Sequence, residues 1–321
     1  MRYLTKQFLI LTAIAFLVLS SATAKAQPVR GRFLYNLSSF TGTIRYNWVR
    51  TFVDKENNEI YVSNGADRSV RIFNESGMEI YNFGDDASLG NISDGAVERD
   101  ANILLLSYFR KEPNYEPIYA IIRCNYRGEP ISRIEIKNLP TEFSDLLPNR
   151  IVLVGEQLYL ADLSGMKVAV IDMTGQFKNG YDIASILDLD KQQRADSGIT
   201  GFNVDKKGNI LFTISVHFKA YVLSPDGKIT SFGKKGSGPG RFGIVAGISS
   251  DDKGYYYVAD TLRCVVMIFD QEFRFQSEFG YRGLRPGNLI APRDLETDDK
   301  DRVYVTQSRN RGVSVFQVKY D

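Results

Sequence analysis

The sequence is poor in the residues that carry most metal and redox chemistry. Its 321 residues include one histidine, two cysteines and one tryptophan. A zinc site with three histidines is therefore excluded, and a Ser-His-Asp triad would have to be built around His217 alone. The H-E-x-x-H, C-x-x-C-H and P-loop patterns are also missing. Zinc protease, haem attachment and nucleotide hydrolysis thus have no support, and we expect neither a metal site nor a cofactor.

Long apolar runs are missing except at the N-terminus. Arg2 and Lys6 precede an apolar segment at positions 8–19, and the small-x-small pattern Ala24-Lys25-Ala26 follows. This order predicts a secretory signal peptide over residues 1–26, because the apolar segment is too short for a stable membrane span. We expect cleavage after Ala26 and a mature chain, 27–321, in the periplasm or the extracellular medium.

The sequence has little excess of either charge. The formal net charge is +2, and removal of the predicted leader with Arg2, Lys6 and Lys25 lowers it to −1. A nearly neutral, exported chain lacks the electrostatic footprint of a nucleic-acid-binding protein. We therefore expect neither a nucleic-acid partner nor a membrane span in the mature protein.

One segment recurs, in degraded form, along most of the chain. The fullest copy is GSGPGRFGIVAGISSDDKGYYYVADTLRCVVMIFD at 236–270, and a second follows at 283–316. Each copy has a Gly/Pro loop, a short strand ending in acids, a tight turn and two apolar strands. Aligning six copies on the second strand gives the anchors Tyr61, Leu104, Tyr159, Leu211, Tyr257 and Tyr304, which are 43, 55, 52, 46 and 47 residues apart.

Six copies of this length predict an all-β fold, a six-bladed β-propeller of four-stranded antiparallel blades over 27–321. The last copy, which ends in VSVFQVKYD, lacks a fourth strand, and the segment 31–40 supplies a strand without a blade. Pairing of the two would remove two open sheet edges. We therefore expect the N-terminal strand to close the ring with the last blade.

The glycine-rich loop GSGPGRF at 236–242, followed by YYYVAD at 255–260, resembles the NHL repeat. The resemblance is close in blade five, weaker in blades two and three, and spans nearly the whole mature chain. It implies a six-bladed propeller of the exported bacterial type. The family includes binding scaffolds and, among its relatives, some enzymes, and a fold alone does not choose between them.

The two cysteines fall in blades on opposite sides of the predicted ring. Cys124 belongs to blade two and Cys264 to blade five. A disulfide requires Cα atoms within about 7 Å of each other. We therefore expect two unpaired, buried thiols.

Candidate binding residues lie on the face that carries the longer connections, here called the loop face. Binding residues are usually held by such loops on a rigid frame. Two glycine-rich links and an insertion at 110–117 supply the candidates for partner binding: Lys234, Lys235, Arg241, Arg282, Arg285 and Tyr115. Solvated, solubilising charge is the alternative interpretation of the basic links.

A second candidate site lies at the mouth of the channel. Counting back from each first-strand turn places Arg50, Arg150, Arg293 and Asp294 there, and converging guanidinium groups make an anion receptor. The alternative is that these arginines pair with Asp94, Asp294 or Glu296 across the channel.

Two functions remain open. The first is a non-enzymatic scaffold, which we expect to be a monomer, that binds a protein, peptide or glycan, including anionic ones, through its loop face. The alternative is a metal-dependent hydrolase, lactonase or lyase resembling the gluconolactonase and strictosidine-synthase-like propellers. Those lactonases hold a metal with Glu, Asn and Asp from several blades, and of that set we match only Asp294. We therefore favour the scaffold and predict no catalytic residues.

Overall fold

Six four-stranded antiparallel sheets form a ring, which confirms the predicted six-bladed propeller. The computed structural model describes residues 29–40, 42–43, 49–84, 86–111, 116–308 and 311–320. The predicted signal peptide, 1–26, lies outside these residues. In the described part of the chain, no helix is long and apolar enough to cross a membrane.

The first three blades follow one another along the chain from position 49. Blade one consists of the strands Val49–Asp54, Glu59–Asn64, Ser69–Phe73 and Glu79–Gly84. Blade two consists of Asn91–Val97, Ile103–Lys111, Glu116–Cys124 and Pro130–Glu135. Blade three consists of Arg150–Val154, Gln157–Asp162, Lys167–Asp172 and Phe177–Asp182.

The other three blades include the closing blade. Blade four consists of Gly201–Val204, Ile210–Ile214, Lys219–Leu223 and Ile229–Phe232. Blade five consists of Val245–Ser250, Tyr256–Asp260, Val265–Phe269 and Phe275–Phe279. Blade six consists of Pro292–Thr297, Arg302–Gln307, Val313–Tyr320 and the N-terminal strand Val29–Asn36. All six predicted anchor residues lie in second strands.

Short elements fill the connections. Two helices, Ile183–Ile186 and Lys191–Ser197, lie between blades three and four. Single 3₁₀ turns lie at Ala87–Leu89, Thr141–Phe143 and Ser215–His217. The strands Ser38–Ser39 and Gly42–Thr43 form a small separate ladder.

Ring closure occurs as the sequence predicts. The strand Val29–Asn36 pairs antiparallel with Val313–Tyr320 and becomes the outer strand of blade six. Phe33 packs edge-on against Phe316, with ring centroids 5.7 Å apart. The chain ends thus complete one blade together.

The hydrophobic core is divided among the six interfaces between neighbouring blades. Each sheet is covered on both faces, so the second and third strands are almost entirely buried. Alternate residues of one strand serve different interfaces: Tyr61 packs toward blade two, whereas Ile60 and Val62 pack toward blade six. This arrangement explains why the strands carry continuous apolar runs rather than a simple alternation of apolar and polar residues.

Aspartates at the ends of first strands fix the tight turns. Asp251 Oδ1 accepts hydrogen bonds from the amides of Lys253 and Tyr255, and Asp54, Asp205 and Asp298 do the same in their own turns. These four carboxylates therefore hold their turns as acceptors of backbone amides.

The cysteines are unpaired and buried, as expected. Cys124 ends the third strand of blade two, and Cys264 immediately precedes the third strand of blade five. Burial raises the pKa of the Cys124 thiol to about 12, which keeps it protonated.

Candidate functional site

A buried charge cluster crosses the channel between blades two, three and six. Arg150 begins the first strand of blade three, and only 2% of its side chain is exposed. Its Nε donates to Asp94 Oδ2 at 2.9 Å, and its Nη1 donates to Asp294 Oδ2 at 2.6 Å. Asp94 also accepts the backbone amide of Ile151 at 3.0 Å. The guanidinium group is therefore held by carboxylates from two other blades.

Arg50 extends the cluster into blade one. Its Nη1 lies 3.1 Å from the same Asp294 oxygen, and 26% of its side chain is exposed. Burial alone would raise the pKa of Asp294, but the charges of Arg150 and Arg50 lower it below its usual value. For Asp94, burial outweighs the same two arginines and raises the pKa.

Glu296 is the third carboxylate of the cluster and has no close guanidinium partner. Arg150 Nη2 is 4.0 Å from its Oε1, whereas Asn203 Nδ2 donates to both carboxylate oxygens at 3.2 and 3.3 Å. Burial, together with the charges of Asp294 and Asp94, raises the pKa of Glu296 to about 8. At neutral pH Glu296 is therefore largely protonated.

An open cavity of about 1130 Å³ lies in the channel on the face of the tight turns. Arg150, Asp94, Glu296 and Asn203 contribute to its lining, together with the turns that follow the first strands. Sequence analysis placed the channel site on the opposite face and did not single out Asn203. Three residues of its lining, Arg150, Asp94 and Glu296, were named from the sequence, the two carboxylates as possible arginine partners.

The three predicted channel arginines do not converge. Arg50 and Arg150 meet at Asp294, as in the alternative that the sequence left open. Arg293 is exposed, and its Nε donates to Ser308 Oγ at 2.5 Å. An anion at Arg50 or Arg150 would have to compete with Asp294 and Asp94, so the geometry favours a structural role for these two residues.

The five basic residues predicted for the glycine-rich links lie exposed on the loop face. Lys234, Lys235 and Arg241 belong to the link between blades four and five, and Arg282 and Arg285 to the link between blades five and six. The sixth predicted contact residue, Tyr115, lies outside the described residues.

The two links fold alike because each is pinned by one buried apolar residue. Phe242 donates its amide to Lys234 O at 2.9 Å, and Leu289 donates to Tyr281 O at 2.8 Å. Both side chains are fully buried. Gly233 has φ 84°, and a Cβ there would approach the Phe242 ring to 2.0 Å, so the close contact requires glycine. The basic residues are thereby held at the exposed part of each link.

Charge on the loop face is strongly asymmetric. Among the described residues, the connections at 215–218, 233–244, 261–264, 280–291, 308 and 311–312, all in blades four to six, hold seven basic residues and no acidic one. The corresponding described connections of blades one to three, 65–68, 86–90, 136–149, 163–166 and 183–200, hold four basic and seven acidic residues.

Exposed apolar side chains lie among these basic residues. Leu262 and Leu284 are 51% and 72% exposed, and Val216, Ile244 and Tyr281 are also exposed. Neighbouring loops are tied together: Thr261 donates its amide to Ile244 O, and Arg282 Nη2 donates to Leu262 O at 2.8 Å. We call this surface the basic loop patch. Its members are Lys234, Lys235, Arg241, Arg263, Arg282, Arg285 and Arg311, with the apolar residues Val216, Ile244, Leu262, Tyr281 and Leu284.

Asp260 holds the centre of the patch in place. Its carboxylate is fully buried and accepts the backbone amides of Gly243, Ile244, Leu262 and Arg263. Asp260 therefore fixes these loops through backbone amides and not through a basic side chain. Arg263 instead binds Glu278 with two bonds of 2.8 Å.

The single histidine lies in blade four. His217 Nδ1 is 2.8 Å from Tyr221 Oη, and burial, with the nearby charge of Lys219, lowers its pKa. Within the described residues, no group of three or more His, Cys, Asp or Glu side chains is placed to hold a metal ion.

Comparison with solved structures supports the fold and leaves the activity open. A protein of unknown function from Bacteroides thetaiotaomicron superposes with a TM-score of 0.63 and 14% identity, over 91% of this chain and 76% of that one. A Xanthomonas campestris protein described as a gluconolactonase gives a TM-score of 0.55 and 12% identity over 94% of each chain. Virginiamycin B lyase from Staphylococcus aureus gives 0.51 and 11% over 91% and 90%.

No family model matches the sequence, and no curated protein matches it. The similarity to NHL repeats therefore stays a prediction. The structural neighbours include a protein of unknown function as well as enzymes. The chain is thus a six-bladed propeller, and some of its structural neighbours are of the gluconolactonase and virginiamycin lyase type.

Proposed function

We propose that this protein is an exported, non-enzymatic propeller with NHL-like repeats that binds an acidic segment of a partner protein on the basic loop patch. The supporting observation is the charge of the connections in blades four to six, whose described residues include seven basic ones and no acidic one. Opposite charge across an interface steers association and selects partners.

The apolar members of the patch favour a peptide chain over a polyanionic glycan. Leu262 and Leu284 expose much of their side chains beside Arg282 and Arg285. An acidic segment with interspersed apolar side chains would bury these leucines and pair with the guanidinium groups. A glycan without apolar groups would leave the leucines in water.

The test uses a fluorescently labelled peptide of alternating Glu and Leu residues, with anisotropy as the measurement. Reversing both charges in Arg282→Glu/Arg285→Glu should weaken binding at least roughly tenfold, because two charge-assisted contacts are lost. Leu284→Ser should weaken binding at low and high salt alike, because the contact that it removes is apolar. Lys191→Glu, an exposed change in the link between blades three and four, is the matched control and should bind as the unaltered protein does.

Other probes separate the proposal from its competitors. Affinity for the Glu-Leu peptide should fall as salt rises, and a Lys-Leu peptide should not bind. Tighter binding to heparin than to the peptide would point to a glycan. Binding to phosphatidylglycerol vesicles without peptide binding would point to an anionic membrane. Either result would overturn the assignment to an acidic protein segment.

Export is part of the proposal and rests on the order of charge, apolar segment and small residues before position 27. Intact-mass analysis of the protein recovered from the periplasm or the medium should show a chain that begins at Gln27. Retention of Met1 in a membrane fraction would contradict the proposed export.

A hydrolase or lyase is the second candidate, and the observation that favours it is Glu296. A carboxyl group with a raised pKa in a cavity is a candidate acid or base. Turnover of lactones that is lost in Glu296→Gln, or stoichiometric calcium or zinc in the purified protein, would favour the enzyme over the scaffold.

A further inference from the structure

The cavity on the tight-turn face, opposite the basic loop patch, has an excess of negative charge. Eleven carboxylates and six basic side chains belong to its lining. Lys55 and Lys206 are already paired, with Asp299 at 2.9 Å and Asp252 at 3.0 Å. Lys253 pairs with Asp301, which lies outside the lining. The electrostatic potential of the cavity should therefore attract cations.

The inner end of the cavity lacks one positive charge. Three carboxylates, Asp94, Asp294 and Glu296, share two guanidinium groups, those of Arg50 and Arg150. Both arginines are bound directly to aspartates, so the carboxylate left over is that of Glu296. In a partly desolvated site, one added cation would complete the pairing of this carboxylate.

Polar groups that could orient a ligand surround Glu296. Asn203 Nδ2 donates to the carboxylate and also lies 3.3 Å from Ser249 Oγ, which in turn lies 3.1 Å from Thr297 Oγ1. Thr51 also lines the cavity, and its buried hydroxyl group has no hydrogen-bond partner among the described residues. A few convergent polar groups in a large pocket are typical of a small-molecule site.

We propose that this cavity binds a small organic cation with a primary ammonium or guanidinium group, which pairs with the Glu296 carboxylate. The site lies on the face opposite the basic loop patch and does not depend on the function proposed for that patch. Binding requires the ionised carboxylate, so the cation displaces the proton that Glu296 holds at neutral pH.

The charged groups that face Glu296 come from several blades. They are Arg150 of blade three, Asp94 of blade two and Asp294 of its own strand, with Arg50 and Lys55 of blade one farther away. The charges of Arg150 and Arg50 lower the pKa of Asp294, whereas burial raises that of Asp94, which is bonded directly to Arg150. Glu296 is the carboxylate with a pKa of about 8, so it is the group that should titrate on binding.

The experiment measures putrescine binding by isothermal titration calorimetry between pH 6.5 and 8.5, where the diamine keeps its charge. Affinity should rise by about 20-fold over this range, because binding is coupled to loss of one proton from a group with a pKa of about 8. Titrations in two buffers of different ionisation enthalpy should show nearly one proton released at pH 6.5 and far less at pH 8.5.

Matched controls test the role of the carboxylate. Glu296→Gln should lose both the pH dependence and at least tenfold in affinity at pH 8.5, whereas Glu156→Gln, an exposed change in the same lining, should change neither. The neutral isostere 1,4-butanediol should not bind. If Glu296→Gln fails to fold, proton release by the unaltered protein still decides the result.

Two results would overturn the proposal. One is putrescine affinity that does not change between pH 6.5 and 8.5 or that is equal in Glu296→Gln. The other is no binding of putrescine, spermidine or agmatine at millimolar concentration.

Discussion

At the scale of single residues, Arg150 links three blades of the ring. It belongs to blade three, and its guanidinium group contacts carboxylates of blades two and six. A buried ion pair is weak evidence for net stability, but removal of one member leaves the others buried without compensation. The cluster is therefore expected to be intolerant of single changes.

Arg150→Met should lower the free energy of unfolding at pH 7 by about 3 to 5 kcal/mol, because Asp94 loses its guanidinium partner in a buried site. The loss should be smaller at pH 5, where Asp94, whose pKa is already raised, takes up a proton more readily. Urea denaturation at both pH values measures the effect.

Two comparisons make the Arg150 result specific. Arg293→Met, at an exposed position in the first strand of blade six, should change the free energy of unfolding by less than about 1 kcal/mol. Addition of Asp94→Asn to Arg150→Met should restore part of the loss, since the uncompensated charge is removed. An Arg150→Met protein as stable as the unaltered one at pH 7 would show that the cluster is not structural.

Glu296 predicts a pH dependence of stability in the alkaline range. Its pKa is about 8 in the folded protein and near 4.5 when exposed. Between these values the folded state holds more protons than the unfolded state, so a rise in pH favours unfolding, with a slope of at most about 1.4 kcal/mol per pH unit. Below about pH 4.5 this contribution is complete, and it is lost as the pH rises through 8.

Glu296→Gln removes this titration, so unfolding free energies of the two proteins should diverge from pH 5 to 8 in favour of the variant. Comparison of the pair cancels the contributions of other groups. Parallel curves for the two proteins across that range would show that the Glu296 pKa is not raised.

The sequence identified the charges of the channel but not their pairing. Asp94 occupies the position across from Arg150, although counting back from the turn did not place it at the mouth of the channel. The reason is a register shift in the first strand of blade two, between Ile92 and Asp94, with similar shifts in blades five and six. A β-bulge adds one residue to a strand, so counting back from the turn misses the channel position by one.

At the scale of elements, the two glycine-rich links were predictable because local chemistry determines them. Phe242 and Leu289 occupy equivalent positions after their glycine-rich segments, and both are buried. The lengths of the strands in blade two could not be predicted as well from the sequence. The segment 110–117 appeared to be a loop, but the strands Ile103–Lys111 and Glu116–Cys124 extend into it from both sides.

Asp260→Asn should disorder the basic loop patch as well as destabilise the fold. Its carboxylate accepts four backbone amides at full burial, and hydrogen bonds to a charged acceptor contribute about 1.5 to 3 kcal/mol each. An amide side chain has one acceptor oxygen, so we expect a loss of at least about 2 kcal/mol. Hydrogen exchange should accelerate at the amides of residues 243, 244, 262 and 263.

The matched control for this change is Asp252→Asn. Asp252 is half exposed and pairs only with Lys206 at 3.0 Å, a type of surface ion pair that contributes less than about 1 kcal/mol. Unchanged exchange at the four amides in Asp260→Asn would refute the assignment of this carboxylate as the support of the patch.

At the scale of the whole molecule, the two ends of the channel differ in charge. The loop face of blades four to six is basic, and the cavity on the tight-turn face is acidic. The net charge of the chain conceals this separation, which is why composition alone indicated no charged partner. The sequence predicted which connections share a face, because antiparallel strands place alternate turns at opposite ends. It did not predict the cavity, because the cavity depends on how the six first strands meet around the channel.

Ring closure gives the prediction that involves the whole molecule. A protein that begins at Leu37 lacks the strand Val29–Asn36, which leaves the strand Val313–Tyr320 as an open edge and uncovers Phe316 and Phe279. We expect its free energy of unfolding to fall by several kcal/mol, since burial of one large apolar side chain alone contributes about 1.5 to 3 kcal/mol. A chain that begins at Val29 keeps every strand of the ring and is the control.

Adding the missing strand back as a peptide separates its own contribution to stability from a general effect of truncation. Because the missing strand pairs through its backbone with one defined edge, a synthetic peptide VRGRFLYN added in trans should bind the shortened protein and raise its melting temperature. A peptide with valine in place of Gly31 should fail, since a Cβ at that position would approach the Phe279 ring to 2.3 Å. If the shortened protein melts within a degree or two of the control, the ring does not depend on closure by its N-terminal strand.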